Sequence, residues 1–215
     1  MGLCEHEETV WKRGVRLLAG VDEAGRGPLA GPVVAAAVVF PRGVRVEGVT
    51  DSKLLSEERR EGLYETLARE APGIGVGIVD HVEIDRLNIL NATFKAMHLA
   101  VAALQEQPEH LLVDGNLFRA EVDRGASQCS LPYTTLINGD AKSFLIAAAS
   151  IVAKVTRDRM MRQYDREFPG YGFAEHKGYA TPRHREALRR LGPCPIHRRS
   201  FTIAGQLIFP WEAPR

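Results

Sequence analysis

Residues 17–40, LLAGVDEAGRGPLAGPVVAAAVVF, constrain this chain more than any other stretch. An apolar run reaches Val21 and stops at two adjacent carboxylates, Asp22 and Glu23. A loop follows with glycines at 25, 27 and 31 and one cation, Arg26; a second apolar run, Val33–Phe40, comes next. The pattern reads as strand, tight loop, strand. Neighbouring strand residues point to opposite faces, so a central strand directs at least one of these carboxylates into the fold or a cleft. Buried charge is costly unless it is paired or bound to a metal. Glycine lets a backbone adopt positive φ and approach a ligand closely.

The remaining segments alternate. Residues 1–16 read as a polar, loosely held lead-in. Pro41–Gly43 makes a turn, and a short strand is expected near Val44–Val49. Asp51-Ser52-Lys53 precedes a helix with Ser56 as N-cap and Glu57 and Glu58 in its first turn. Ile74–Val79 reads as a strand, Val82–Leu87 as a short helix, and Asn91–Gln105 as a longer one with Phe94, Met97, Val101 and Leu104 on one face. Leu111–Val113 is a strand stopped by Asp114-Gly115. Residues 117–132 look irregular, and Tyr133–Ile137 is a strand closed by Asn138-Gly139. A long helix is expected over 142–167 and a last one over 182–191, capped by Thr181 with Pro182 at its first position. Gly192–Arg215 is expected to be extended. Strands first and then alternating helices and strands predict an α/β fold, a mixed sheet with helices on its faces.

At 215 residues the chain suits one domain with appendages, and a 45% hydrophobic content suffices for its core. The net charge of +1 offers no global argument for a nucleic-acid partner. Cys4, Cys129 and Cys194 lie too far apart for a CxxC, which argues against a disulfide framework or structural zinc. The first residues lack the apolar run of a signal peptide, and the apolar stretches are too short to span a bilayer. A reducing cytoplasm, no membrane and a monomer are the expectations.

Three acidic sites share one local grammar. Asp22-Glu23 ends a strand, Asp114 ends another, and Asp140 follows Asn-Gly directly before a helix. Ligands of open α/β sheets sit outside strand ends. Carboxylates gathered there, without cysteine or a histidine pair, suit Mg²⁺ or Mn²⁺. Two such ions roughly 3.5–4 Å apart would activate water and stabilise a leaving oxygen. Plainer roles stay open: a strand-end ion pair at Asp22 or Glu23, turn residues at Asp51 and Asp114, a helix cap at Asp140, and a solvated partner of Lys154 at Asp158.

The ordered blocks DEAGRG (22–27), DSK (51–53), VDG (113–115), GD (139–140), ASIVAKV (149–155) and HKGY (176–179) resemble bacterial ribonuclease HII, over about residues 17–202. The resemblance implies a ribonuclease H-like fold, a central mixed β-sheet flanked by helices with a C-terminal helical extension, and a tail over 203–215. It implies that Asp22, Glu23, Asp114 and Asp140 are catalytic and hold two Mg²⁺ or Mn²⁺ ions. It implies cleavage of the RNA strand of RNA–DNA hybrids and nicking of duplex DNA 5′ to an embedded ribonucleotide, leaving 3′-hydroxyl and 5′-phosphate ends. Gly25, Arg26 and Gly27 would approach the ribose 2′-OH. Tyr179 would stack on the sugar after the scissile phosphate, Lys53 would meet a phosphate, and Ser150 and Lys154 would contact the substrate strand.

From Lys177 to Arg199 seven Lys and Arg face one Glu, a stripe suited to a phosphate backbone or to a solvated helix face. His176, His184 and His197 fit phosphate contacts or surface roles. Gln206-Leu207-Ile208-Phe209 faintly resembles a sliding-clamp-binding peptide. The rival readings are a non-catalytic nucleic-acid-binding module, a type 3 ribonuclease H and, more weakly, a nucleotide-binding protein, whose GxxxxGK[ST] loop is missing.

Overall fold

The second apolar run of the sequence, Val33–Val39, is strand β2, buried at every residue. The sheet is built outward from it. β1 (Leu18–Ala24) and β3 (Gly73–Val79) pair antiparallel with its two edges. β4 (His110–Asp114) runs parallel to β1, and β7 (Tyr133–Leu136) parallel to β4, which gives the order β3-β2-β1-β4-β7. Two-residue strands β5 (Glu121–Val122) and β6 (Ser127–Gln128) form a small hairpin inside 117–132, and β8 (Thr202–Ile203) and β9 (Gln206–Leu207) form another. The computed structural model describes residues 3–125, 127–203 and 206–207, with 202–203 and 206–207 as backbone only.

Helices α1 (Glu5–Trp11), α2 (Glu57–Glu70) and α5 (Phe144–Glu167) cover one face, meeting Leu18, Ala36, Val38 and Leu112. α4 (Ile89–Ala102), which follows α3 (His81–Leu87), covers the other, meeting Ala19, Val21, Ala35, Ala37 and Val113. Gly20 sets the approach of α5: a Cβ there would lie 2.1 Å from the Leu145 carbonyl carbon. The α5 backbone therefore rests directly on β1. Short α6 (Phe173–His176) and α7 (Pro182–Leu191) enclose a third cluster with Leu29, Ala30 and Met161.

Several expectations change. Val44–Val49 forms no strand. Backbone bonds from Val44 to Pro41 (3.2 Å) and from Val49 to Val46 (3.4 Å) close local turns, with Gly43 and Gly48 at positive φ. The apolar Val46 and Val49 are buried from a loop rather than from a ladder. The lead-in carries helix α1, tied to the core by the buried Glu7, whose Oε1 accepts from Ser143 Oγ (2.7 Å) and Leu145 N (3.1 Å). The cap of α5 is Ser143, not Asp140: its hydroxyl accepts from Ile146 N.

Candidate active site

The sheet register brings the acids together. Val21 lies opposite Val113 in the parallel pair β1·β4, so Asp22 and Asp114 follow side by side at the same edge. Both continue the α5 face, two residues beyond Gly20 and Leu112. Asp114 pairs with Leu136 at the end of β7, and the chain then turns through Asn138 (φ 55°) into Gly139-Asp140. Asp114 Oδ1 accepts from Gly139 N at 2.7 Å, which fastens that turn to the strand end.

A cleft of about 270 Å³ lies at this edge, lined by Asp22, Glu23, Gly25–Gly27, Ser52, Lys53, Arg60, Asp114, Ser150, Lys154 and Tyr179. Burial and the neighbouring charges of Glu23 and Asp114 push the Asp22 carboxyl well above the usual carboxylate range. Burial also raises Glu23, against the pull of Arg26, and raises Asp114. Asp140 is 3% exposed and pairs with Lys53 Nζ at 2.8 Å, a bond that raises the lysine.

Three acids raised by burial and crowding form a site that favours added positive charge. The donor set is all oxygen, which fits a hard divalent cation. Among the described residues, no three Asp, Glu, His or Cys side chains already converge closely enough to share one ion. The Lys53 ammonium supplies the positive charge at Asp140 instead. The residues fit the ion by chemistry, with side-chain adjustment needed to close a coordination sphere.

The substrate-binding candidates divide. Gly25 (φ 99°), Arg26, Gly27, Lys53, Lys154 and Tyr179 all line the cleft, with Tyr179 46% exposed. A Cβ on Gly27 would sit 3.6 Å from Tyr179 Cε1, so ring and loop face each other across a narrow gap. Ser150 is buried, bonded to Ser52 Oγ at 2.8 Å and to the Asp22 carboxylate. Lys154 bonds Asp158 at 2.7 Å, and burial lowers its pKa. Asp158 is 2% exposed, so the expected solvated partner is an internal one.

Sequence reasoning missed two arginines that build the glycine loop. Arg198, 1% exposed, donates to the carbonyls of Gly31 (3.0 Å), Arg26 (2.9 Å), Gly25 (2.6 Å) and Pro32 (3.2 Å). Arg157, also 1% exposed, donates to Pro32 (3.0 Å), Lys177 (3.0 Å) and Ala30 (3.1 Å). In a trans peptide the N–H points opposite the preceding C=O. With the Gly25 and Arg26 carbonyls turned onto Arg198, the N–H groups of Arg26 and Gly27 face away from it, outward. A loop signal existed for Arg157: positions 149, 153, 157 and 161 share a helix face, and three of them are Ala, Ala and Met. Arg60 is the other unforeseen cleft residue, donating to Ser52 O at 2.9 Å.

The C-terminal basic stripe is largely committed elsewhere. Lys177 and Arg198 are buried, Arg183 pairs with Glu175, and Arg189 pairs with Glu186 at 2.7 Å. His176, His184 and His197 are buried too, not surface groups. Of the Gln206–Phe209 peptide, Ile208 and Phe209 lie outside the described residues.

An α/β chain with carboxylates at adjacent strand ends has the architecture of the type 2 ribonucleases H. It resembles the solved ribonuclease H2 from Pyrococcus horikoshii OT3 with a TM-score of 0.71 and 30% identity, covering 86% of this chain and 93% of that one. It also resembles RNase HII in the PCNA:RNase HII complex from Archaeoglobus fulgidus (TM-score 0.68, 28% identity, 88% and 97% covered). Bst-RNase HIII in complex with Mn²⁺, at 21% identity and a TM-score of 0.64, shares the fold alone. The Ribonuclease HII family model matches residues 19–204. Ribonuclease HII of Geobacter metallireducens is 54% identical over 204 residues, 95% of this chain and 92% of that protein. The chain belongs to the Ribonuclease HII family and is a ribonuclease H, a hydrolase of RNA in RNA–DNA hybrids.

Proposed function

We propose that this ribonuclease H both cleaves long RNA–DNA hybrids and nicks duplex DNA 5′ to a single embedded ribonucleotide, leaving 3′-hydroxyl and 5′-phosphate ends. One observation carries the reading: Asp22, Glu23 and Asp114 share a single cleft with Gly25–Gly27 and Tyr179. The carboxylates thus sit beside a glycine loop that an aromatic ring faces. The outward N–H groups of Arg26 and Gly27 suit a ribose 2′-OH, which accepts as well as donates. Tyr179 offers a ring to the next sugar, and the cations Lys53, Arg60 and Lys154 suit the backbone phosphates.

Asp22, Glu23, Asp114 and Asp140 would hold two Mg²⁺ or Mn²⁺ ions. Bound there, such ions would generate a water nucleophile at neutral pH and stabilise the departing 3′-oxygen. Ser150 keeps Asp22 oriented from behind. The reading includes a monomeric, cytoplasmic enzyme that removes misincorporated ribonucleotides; among the described residues no helix is long and apolar enough to cross a membrane. The archaeal complex with PCNA supports testing whether residues 204–215 bind a sliding clamp by a pull-down with and without them.

The test is a DNA duplex with one ribonucleotide, incubated with Mg²⁺, Mn²⁺ or EDTA. A metal-dependent nick on its 5′ side is expected. Cleavage of a long hybrid without that nick would favour type 3 specificity. Duplex binding without any cleavage would refute the catalytic reading.

A further inference from the structure

Behind Tyr179 lies a buried chain of imidazoles that the proposed chemistry does not use. His184 Nδ1 is 2.9 Å from the Tyr179 carbonyl oxygen, and His184 Nε2 is 3.1 Å from His197 Nε2. His197 Nδ1 is 2.9 Å from Cys194 N. The Cys194 amide can only donate, which makes His197 Nδ1 the acceptor and places the ring proton on Nε2. That proton points at His184 Nε2, so the His184 proton sits on Nδ1 and is donated to the Tyr179 carbonyl. Each step fixes the tautomer of the next.

The chain works with neutral rings. Burial holds His184 and His197 down at about 4, so both are uncharged near neutrality. The backbone bonds to Tyr179 and Gly178 at His184, and to Cys194 at His197, pull the other way without overcoming burial. His176 stacks on His184 at 4.4 Å, Tyr171 lies 5.4 Å from His197, and a charge on His184, His81 or His176 would disfavour one on His197. Burial raises the Cys194 thiol to about 11, so it stays protonated, and Glu167 adds to that.

The carbonyl at the end of this chain belongs to the strained side of the cleft. Lys177 (φ 52°) and Gly178 (φ 86°) both have left-handed backbones just before Tyr179. A left-handed pair is held only by its surroundings. Here Arg157 holds the Lys177 carbonyl, Leu29 N holds the Gly178 carbonyl at 2.8 Å, and Tyr179 N donates to His176 O at 2.9 Å. Thr181 N and His184 hold the Tyr179 carbonyl itself.

We propose that His184, oriented by His197, is a positioning residue that sets the Tyr179 ring opposite the glycine loop and so tunes recognition of the ribonucleotide junction. The inference rests on the proposed role of Tyr179. His184 touches no substrate; it acts through the Tyr179 backbone.

The experiment is a double-mutant cycle on cleavage of the single-ribonucleotide duplex, with thermal melts of every variant. Tyr179→Ala, His184→Leu and the double variant are compared. His184→Leu is expected to lower kcat/KM about tenfold, the scale of one buried hydrogen bond. Added to Tyr179→Ala it should cost nothing further. His184→Asn, whose amide N–H can replace the Nδ1 donor, should recover most of the loss. This variant also decides the matter if His184→Leu does not fold. Wild-type kcat/KM in His184→Leu, no loss in Tyr179→Ala, losses that multiply in the double variant, or a folded His184→Asn no better than His184→Leu would each overturn the inference. A wild-type protein that cuts neither duplex nor hybrid overturns the functional reading, and this inference with it.

Discussion

Replacing Arg198 by Met tests whether the glycine loop is held from beneath. Arg198 reaches four carbonyls, but Pro32 O keeps a second donor in Arg157 Nε at 3.0 Å. Three carbonyls, those of Gly25, Arg26 and Gly31, lose the donor they have from Arg198. At about 1–3 kcal/mol for each orphaned group, the loss is about 6 kcal/mol in the middle of the range. Met also removes a buried guanidinium that burial holds down to about 9. Exchanging buried charge for apolar volume returns about 1–4 kcal/mol. The carbonyls win, and a net destabilisation of about 3 kcal/mol is expected. For a chain of this size that lowers Tm by about 10 °C. Because the loop is then free to shift by an ångström, kcat/KM on the single-ribonucleotide duplex should fall about a hundredfold. Arg198→Lys, with one nitrogen in place of a fork, should recover only part of either loss. A Met variant with wild-type melting temperature and wild-type cleavage would refute the reasoning, since it would mean that the loop holds its shape without the arginine.

Asp22→Asn should nearly abolish metal-dependent cleavage in the same assay while leaving the fold intact. Its effect on stability has the opposite sign. The raised Asp22 carboxyl stabilises the metal-free protein fully below the ordinary carboxylate range, and that contribution is lost as pH rises through the higher folded value. Metal-free Asp22→Asn should therefore melt higher than wild type at neutral pH, with a flatter pH dependence; a lower melting temperature there would contradict the crowding argument. Gly25→Ala and Gly27→Ala should separate folding from recognition. The first places a Cβ 2.1 Å from Arg157 Nε at a φ of 99°, and should lower the melting temperature. The second meets only Tyr179 Cε1 at 3.6 Å, and should melt normally yet cleave poorly. Glu7→Ala leaves Ser143 and Leu145 without their acceptor and should cost about 2 kcal/mol, seen as a drop of about 5 °C in a thermal melt.

What could be read from the sequence was what the chain spells locally. The Asp22-Glu23 pair, the Asp114-Gly115 stop and the Asn138-Gly139 turn announce strand ends, and strand ends of one sheet share an edge. Thr181 and Ser56 announce their helices because capping is decided within a few residues, as the bonds to His184 N and Arg59 N bear out. Local grammar failed where distance in sequence replaced it. Val44–Val49 has strand composition, but Gly43 before it and Gly48 within it let it close turns on itself. The basic run at 177–199 looked like a nucleic-acid surface because composition cannot say which cations face inward. Arg198 binds a loop more than 160 residues away, so nothing near it in sequence marks it as internal. His184 and His197 are only 13 residues apart, but their bond joins α7 to the irregular segment beyond it, which no helical or strand period predicts. Both corrections lead to one physical point. The acids of the cleft are set by register, which sequence patterns encode, whereas the glycine loop and Tyr179 are set by buried polar contacts from the C-terminal segment. That division predicts two kinds of failure: changes in the sheet edge remove hydrolysis outright, and changes in the C-terminal contacts spare the acids while blurring which sugar they cut beside.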